Sequence, residues 1–215
     1  MSTEAIALFP IPGSVSLPFN KVPLHVFEPR YRQMIKESVA AHRRIGVAHT
    51  QGIIAASKLS PNATQEEALK SNHATYQAHR VFSAGYAKII ESLPDGRILA
   101  EISMDSRYEI VSEIQNLPYN VMSCRLFKDL AEEPNVNLRT DLDKLLLFNA
   151  GTNTEALERF LQKPEWVQQS NFEYSFNVYS LVAMEPDILQ RTLELRSANA
   201  RINFLKDILS PTTLN

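Results

Sequence analysis

The opening of the chain sets short apolar runs between prolines. Ile6 to Phe9 and Leu24 to Phe27 are apolar segments bounded by Pro10, Pro12, Pro18, Pro23 and Pro29, five of the twelve prolines in the chain. Proline fixes φ and lacks a backbone donor, which excludes continuous helix and a central strand here. The two runs are expected as edge or crossing strands. Pro29 suits the first position of a helix, in which Tyr31, Met34, Ile35 and Val39 form one buried stripe while Arg30, Arg32, Lys36 and Glu37 face outward. Ile45 to Ala55 reads as β, broken at Gly46 and Gly52. The next stretch, Ala56 to Thr75, is polar; Thr64 and Glu67 have the spacing of a helix cap, and a solvated excursion fits equally well. Four strand-like segments follow, Tyr76 to Glu91, Arg97 to Met104, Tyr108 to Ile114 and Tyr119 to Phe127. Pro94-Asp95-Gly96 marks a turn and Asn116-Leu117-Pro118 a weaker break. Successive hairpins with little helix between them imply an antiparallel sheet or a small barrel.

After Pro134 the apolar period lengthens to 3.6. Leu138, Leu142, Leu145, Leu146 and Asn149 share a helix face, and Gly151 is placed to close that helix. Thr152 with Glu155, and Ser170 with Glu173, have capping-box spacing. The second of these helices is expected to gather Phe172, Phe176, Tyr179 and Ala183 on one side. Pro186 opens another, with Ile188, Leu189 and Leu193 inward. Ala198 to Leu209 forms the last, with Ile202, Leu205, Ile208 and Leu209 inward. The pattern predicts an α+β protein: a β-rich lobe over residues 1–132 and an all-α bundle over 133–215.

Composition narrows the function classes. At 215 residues with 44% hydrophobic and 21% charged side chains, the chain can bury roughly 70% of its extended surface. A net charge of −2 provides no overall attraction for nucleic acid or anionic membranes. The amino terminus lacks the pattern of a secretory signal, and no run approaches the roughly 20 apolar residues of a membrane helix. The single cysteine, Cys124, excludes an internal disulfide and suits a reducing, cytoplasmic setting.

Chemistry-bearing motifs are sparse. None of the six glycines precedes lysine, and no two are separated by one residue. The phosphate-cradling and dinucleotide-binding loops are therefore absent. Gly13-Ser14 lacks the Gly-x-Ser-x-Gly frame of a nucleophile elbow. Cys124 sits mid-strand among Met122, Leu126 and Phe127 and reads as a buried, inert thiol. His25, His42, His49, His73 and His79 show no metal-ligand spacing and read as surface or packing residues. The acidic pairs Glu66-Glu67 and Glu132-Glu133 read as solvated loop charges. These readings assign no catalytic residue, no metal and no cofactor.

The most distinctive text is Leu8-Phe9-Pro10-Ile11-Pro12, Leu17-Pro18-Phe19, and Val22 through Tyr31, which ends Phe27-Glu28-Pro29-Arg30-Tyr31. Together with Asp95-Gly96-Arg97, Ser106-Arg107-Tyr108-Glu109-Ile110 and Leu117-Pro118-Tyr119, it resembles the amino-terminal domain of the Lon ATP-dependent protease. Met104 stands where that family is expected to carry glycine. Glu185 to Gln190 and Arg201 to Leu205 are similar to the family's final helices, so the resemblance spans residues 5 to 209. It implies a PUA-like β pseudo-barrel followed by an all-α helical bundle, and a ligand that is a segment of another protein. With six residues after Leu209 there is no place for the ATPase or peptidase modules, so the expectation is a freestanding, non-catalytic substrate-binding domain, working with a separate ATP-dependent protease as an adaptor.

The candidate ligand contacts are Phe19, Glu28, Arg30, Tyr31 and Arg107. Each also has a structural reading. Glu28-Pro29-Arg30-Tyr31 opens a helix, where an acid and a proline suit the free amides. Phe19 either packs beneath its loop or projects as an anchor, and Arg107 either tethers strands or binds. Two function classes follow: a module that holds extended or unfolded polypeptide, and, as the alternative, an RNA-binding PUA-like protein using the basic stripe Arg32, Lys36, Arg43 and Arg44.

Overall fold

The computed structural model describes residues 2–55 and 75–210, so the expected excursion after Ala55, with Thr64, Glu67 and His73, lies outside the described residues. The chain divides into two compact units, one of Met1–Phe127 with Pro186–Leu193, the other of Lys128–Glu185 with Glu194–Asn215.

The first unit is built on strands β1 (Glu4–Pro10), β2 (Lys21–Val26), β3 (Ile45–Ala48), β4 (Thr50–Ala55), β5 (Thr75–Ala78), β6 (Val81–Ser92), β7 (Ile98–Gln115) and β8 (Asn120–Leu126). Five of them close a ring: β7 pairs with β6, β6 with β3, β3 with β1, β1 with β8, and β8 again with β7. All these ladders are antiparallel except β1 with β3. Closure removes the sheet edges that would otherwise be exposed, and this is the pseudo-barrel implied by the resemblance. β2 is laid along the first half of β7 as an edge strand, which suits its proline, Pro23, while β4 and β5 form a separate ribbon.

Two of the expected strands are one. The runs 97–104 and 108–114 join into the 18-residue β7, because no turn forms at Asp105. Residue 105 is instead the extra residue of a bulge opposite Ala84 and Gly85, which bends the strand without ending it. Gly85 makes the bulge possible: a Cβ there would lie 1.8 Å from the carbonyl oxygen of Ser103. The turn at Pro94-Asp95-Gly96 is present. Leu93 N–H donates to the Arg97 carbonyl, and the Asp95 carboxylate accepts from the Arg97 amide.

Helix α1 (Pro29–Ala40) buries Tyr31, Met34, Ile35 and Ser38, and Val39 is exposed. A step of seven residues returns to within about 20° of the starting face whereas a step of eight overshoots it, so the stripe closes on a serine. Tyr31, Met34 and Ile35 join Ala7, Val26, Ile45, Val47, Ile98 and Ile102 in the main apolar cluster. Ile6, Leu8, Phe82, Tyr108 and Cys124 form a second one.

The second unit contains α2 (Val136–Asn149), α3 (Thr154–Leu161), α4 (Pro164–Val167), α5 (Asn171–Asn177) and α7 (Ala198–Leu209); α6 (Pro186–Glu194) packs with the barrel up to Leu193. The sequence division at residue 132 had grouped α6 with the bundle. Its burial explains the difference: Gln190 and Thr192 are buried beside Leu193, Ile188 and Leu189 are half-buried, and the Gln190 amide donates to the carbonyl of Val81 in β6. A polar helix face is anchoring to a strand end.

Caps follow the local chemistry. Gly151 has φ +56 directly after α2, the left-handed conformation that closes a helix. Ser170 and Glu173 form the complete capping box of α5, but Thr152 caps nothing. Asn153 precedes α3, and Thr154 Oγ1 donates back to Gly151. After Asn177 a 3-10 turn, Val178–Leu181, changes the period. The buried aromatics are therefore Tyr174, Phe176 and Tyr179, while Phe172 and Ala183 are exposed. In α7 the inward face is Ala198, Arg201, Ile202 and Leu205, and Ile208 is exposed. Arg201 is fully buried, with its guanidinium paired to both oxygens of Asp129 at 2.9 and 2.6 Å and bonded to Ser175 and the Leu195 carbonyl.

Candidate functional site

The proline breaks of the opening place several apolar side chains around a void. β1 ends at Phe9 and Pro10, and Pro12 stops the chain from continuing a ladder. β2 alternates, with Lys21, Pro23 and His25 exposed and Val22, Leu24 and Val26 turned inward. Pro29 then starts α1 at once and brings Tyr31 back against Phe9, ring centroids 4.2 Å apart. Between these elements lies an open cavity of about 410 Å³ whose apolar walls are Phe9, Ile11, Leu24, Val26, Tyr31 and Tyr76. Such a volume with apolar walls and a few polar groups at the margin suits ligand side chains.

Glu28 and Arg30 supply those polar groups. Glu28 has extended backbone at the start of α1, and its carbonyl accepts from the Tyr31 and Arg32 amides. Its carboxylate does not cap the helix; it accepts from Arg30 Nε at 2.9 Å and from an Arg30 Nη at 2.9 Å, both side chains being nearly buried. The same guanidinium lies 4.6 Å from the centroid of the Tyr31 ring. Burial pushes the Tyr31 phenol up to about 12, with the positive charge of Arg30 opposing the rise. Tyr31 is therefore neutral at physiological pH and presents a wall with a hydroxyl, not an anion.

Three of the five sequence candidates, Glu28, Arg30 and Tyr31, thus line one cavity. Phe19 does not line it. It sits on a loop in the left-handed conformation at φ 70, 40% exposed, with its amide donating to the Met104 carbonyl and the Met104 amide donating to Asn20. That backbone clamp holds an aromatic ring outward at the cost of an unfavourable φ. Arg107 is corrected to an interior residue: it is 2% exposed, and its guanidinium donates at 2.6 Å to the carbonyl of Leu193 in α6 and lies 5.2 Å from the Phe127 ring. A cation at the carbonyl end of a helix complements its dipole, so Arg107 fastens α6 to β7. Tyr76 was not singled out from sequence; its only signal was an aromatic residue at the end of a polar stretch.

The remaining candidates sort by their partners. Arg44 is ion-paired with Glu4 at 2.8 Å and Asp105 at 3.2 Å and lies over the Tyr86 ring. Arg43 donates to Tyr119, whose hydroxyl in turn donates to Glu37. That bond from Tyr119, aided by one from Gln33, holds the Glu37 carboxyl below its usual range. Cys124 is wholly buried, and burial pushes its thiol up to about 12. His49 and His79 stack at 5.2 Å, and His42 stacks on Tyr86. Among the described residues no group of three or more His, Cys, Asp and Glu side chains could hold a metal ion, and no helix is long and apolar enough to cross a membrane.

A closed mixed barrel with an apolar cavity beside its first helix, and a separate helical unit, define an α+β domain of the kind seen at the amino terminus of Lon proteases. The chain belongs to the ATP-dependent protease La (LON) substrate-binding domain family, whose model matches residues 5–210. Lon protease 1 of Herpetosiphon aurantiacus is 24% identical over 216 residues, covering 92% of this chain and 24% of that protein, so the chain spans about a quarter of that relative. The Lon N-terminal domain protein from Xanthomonas campestris superposes with a TM-score of 0.63 at 15% identity, over 94% of this chain and 97% of that one. The N-terminal domain of a Mycobacterium avium complex Lon protease does so at 0.63 and 12%, over 97% and 100%. At these identities the likeness is one of fold.

Proposed function

We propose that this protein holds extended or unfolded polypeptide segments, without chemistry of its own, by taking their apolar side chains into the cavity between Phe9, Leu24 and Tyr31. The observation that carries the reading is that this void, open and apolar, is lined, apart from Tyr76, by the Phe9-to-Tyr31 stretch that carries the family pattern. Apolar burial is non-directional and tolerant of sequence, which suits a module that must accept many clients. Glu28 and Arg30 neutralise each other at the margin and offer polar partners to a passing backbone, Tyr31 forms the floor, and Phe19 acts as a second, exposed anchor on its clamped loop. Family membership supports a further role in the cytoplasm as an adaptor that presents held polypeptide to an ATP-dependent protease.

The RNA-binding reading has less behind it. Of its four basic residues Arg44 is neutralised by two carboxylates and Arg43 is hydrogen-bonded to Tyr119, which weakens the stripe as a phosphate track.

The test is binding of a fluorescent, reduced and carboxymethylated model protein followed by anisotropy. The expected result is affinity that persists as salt rises and is lost in Leu24→Asp. Affinity that falls steeply with salt, or is stronger for single-stranded RNA, would mark phosphate contacts and overturn the reading.

A further inference from the structure

Tyr76 is a wall of two cavities. Besides the Phe9–Tyr31 cavity, it lines a second one of about 450 Å³ together with Leu8, Ala78, Ile110, Leu117 and Met122. Leu8 and Phe9 are consecutive in β1, so their side chains point to opposite faces, and they pack with different apolar clusters. The two cavities therefore flank the end of β1, and a single tyrosine stands between them. The second opens beside the turn joining β7 to β8, where Leu117 is 78% exposed and Ile114 58%. Isolated exposed apolar residues are ordinary; one as exposed as Leu117 that lines a largely apolar void adjoining another is not.

Resting on the polypeptide-binding reading above, we infer that one extended segment fills both cavities at once, with an apolar side chain in each, its backbone crossing over Tyr76, and a lysine or arginine beside the second anchor. The spacing selects an extended chain, because two residues of strand advance about 6.6 Å, enough to step from one side of a tyrosine ring to the other. Charge selects the basic residue. In the first cavity Glu28 and Arg30 cancel, whereas among the described residues Glu113 is the one charged residue lining the second. The occupant is thus a peptide with two apolar anchors two to four residues apart, and Tyr76 is the residue that sets their separation.

The experiment uses the full chain and three fluorescein-labelled peptides of otherwise polar, proline-containing sequence: one with a single Phe, one with a single Leu-Lys pair, and one with both. Anisotropy titration is expected to give the two-anchor peptide an affinity about tenfold above either single-anchor peptide, about 1.4 kcal/mol. Leu117→Asp, at an exposed position, should reduce the two-anchor peptide to the level of the Phe peptide and leave the Phe peptide unchanged. Tyr76→Ala should remove the two-anchor advantage while Tyr76→Phe retains it, and Glu113→Gln should weaken only the peptides that carry lysine. Equal affinity of the two-anchor peptide and the better single-anchor peptide, or indifference to Leu117→Asp, would overturn the shared track while leaving polypeptide binding intact. Failure of all three peptides to bind would overturn both.

Discussion

A single carboxylate oxygen of Glu28 accepts two hydrogen bonds from Arg30, two residues on, and the guanidinium so fixed lies over the ring of Tyr31. The motif that carries the family resemblance thus forms a clamp at the margin of the apolar cavity. Removing one member deprives the other, nearly buried, of this ion pair, which is costlier than removing both. Arg30→Met is expected to lower stability by about 2 kcal/mol in urea unfolding, and Glu28→Gln with Arg30→Met by less than Arg30→Met alone. A loss in the double variant equal to the sum of the two single losses would mean the pair is not coupled.

The same logic is stronger inside the helical unit. Arg201 has no exposed side-chain surface, and Asp129 meets it with both oxygens. Asp129→Ala should cost about 3–5 kcal/mol, since it strands a buried guanidinium. Tryptophan fluorescence of Trp166, the one tryptophan in the chain and buried in the same unit, reports the transition.

Cys124 gives a chemical readout of barrel integrity. Its thiol is wholly buried, and burial holds its pKa near 12, so the nucleophilic thiolate is scarce at neutral pH. A disulfide reagent is expected to label the folded protein far more slowly than the same chain in denaturant, and rapid labelling of native protein would contradict the burial.

The start of α5 should be acid-sensitive. Bonds from the Ser170 hydroxyl and then the Ser170 amide hold the Glu173 carboxyl below its ordinary value of 4.5. A depressed folded-state value contributes stability that is present above the unfolded value and is lost as pH falls through the folded one. Ser170→Ala is expected to cost about 1 kcal/mol at neutral pH and somewhat less once Glu173 is protonated, when the bond that the Ser170 hydroxyl accepts from the Glu173 amide remains to be lost. Glu173→Gln should flatten the acid limb of the stability profile measured from pH 6 downward.

How much of this was legible depends on which force decides each position. Pro10, Pro12, Pro23 and Pro29 act through backbone geometry alone, so the short strands, the edge position of β2 and the start of α1 followed from them directly. Ser170 and Glu173 are likewise a local device. Where long-range contacts decide, reading failed. Asp105 looked like a strand end because nothing nearby reveals that Gly85 lets β7 pass through a bulge. The burial of Arg201 left no local sign, because its partner, Asp129, is 72 residues away. Gln190 and Thr192 interrupted an apolar stripe whose acceptor, Val81, lies on a distant strand. At the candidate site, Glu28, Arg30 and Tyr31 could be nominated together, and line one cavity, because they are close in sequence and form a recognisable motif. Tyr76 gave little signal because only the fold returns it to the end of β1, and of the two readings open for Arg107 its buried bond to a carbonyl of α6 favours the tether, made to a helix and not between strands.

The central claim is that apolar side chains of a polypeptide enter the cavity between β1, β2 and α1. The most direct measurement is methyl NMR of the full chain, with selectively labelled Ile, Leu and Val, during titration with an unfolded polypeptide. Shifts concentrated at Ile11, Leu24 and Val26, with Leu142 and Leu205 in the helical unit unmoved, are the predicted result. A saturable titration that leaves Ile11, Leu24 and Val26 unperturbed would contradict it.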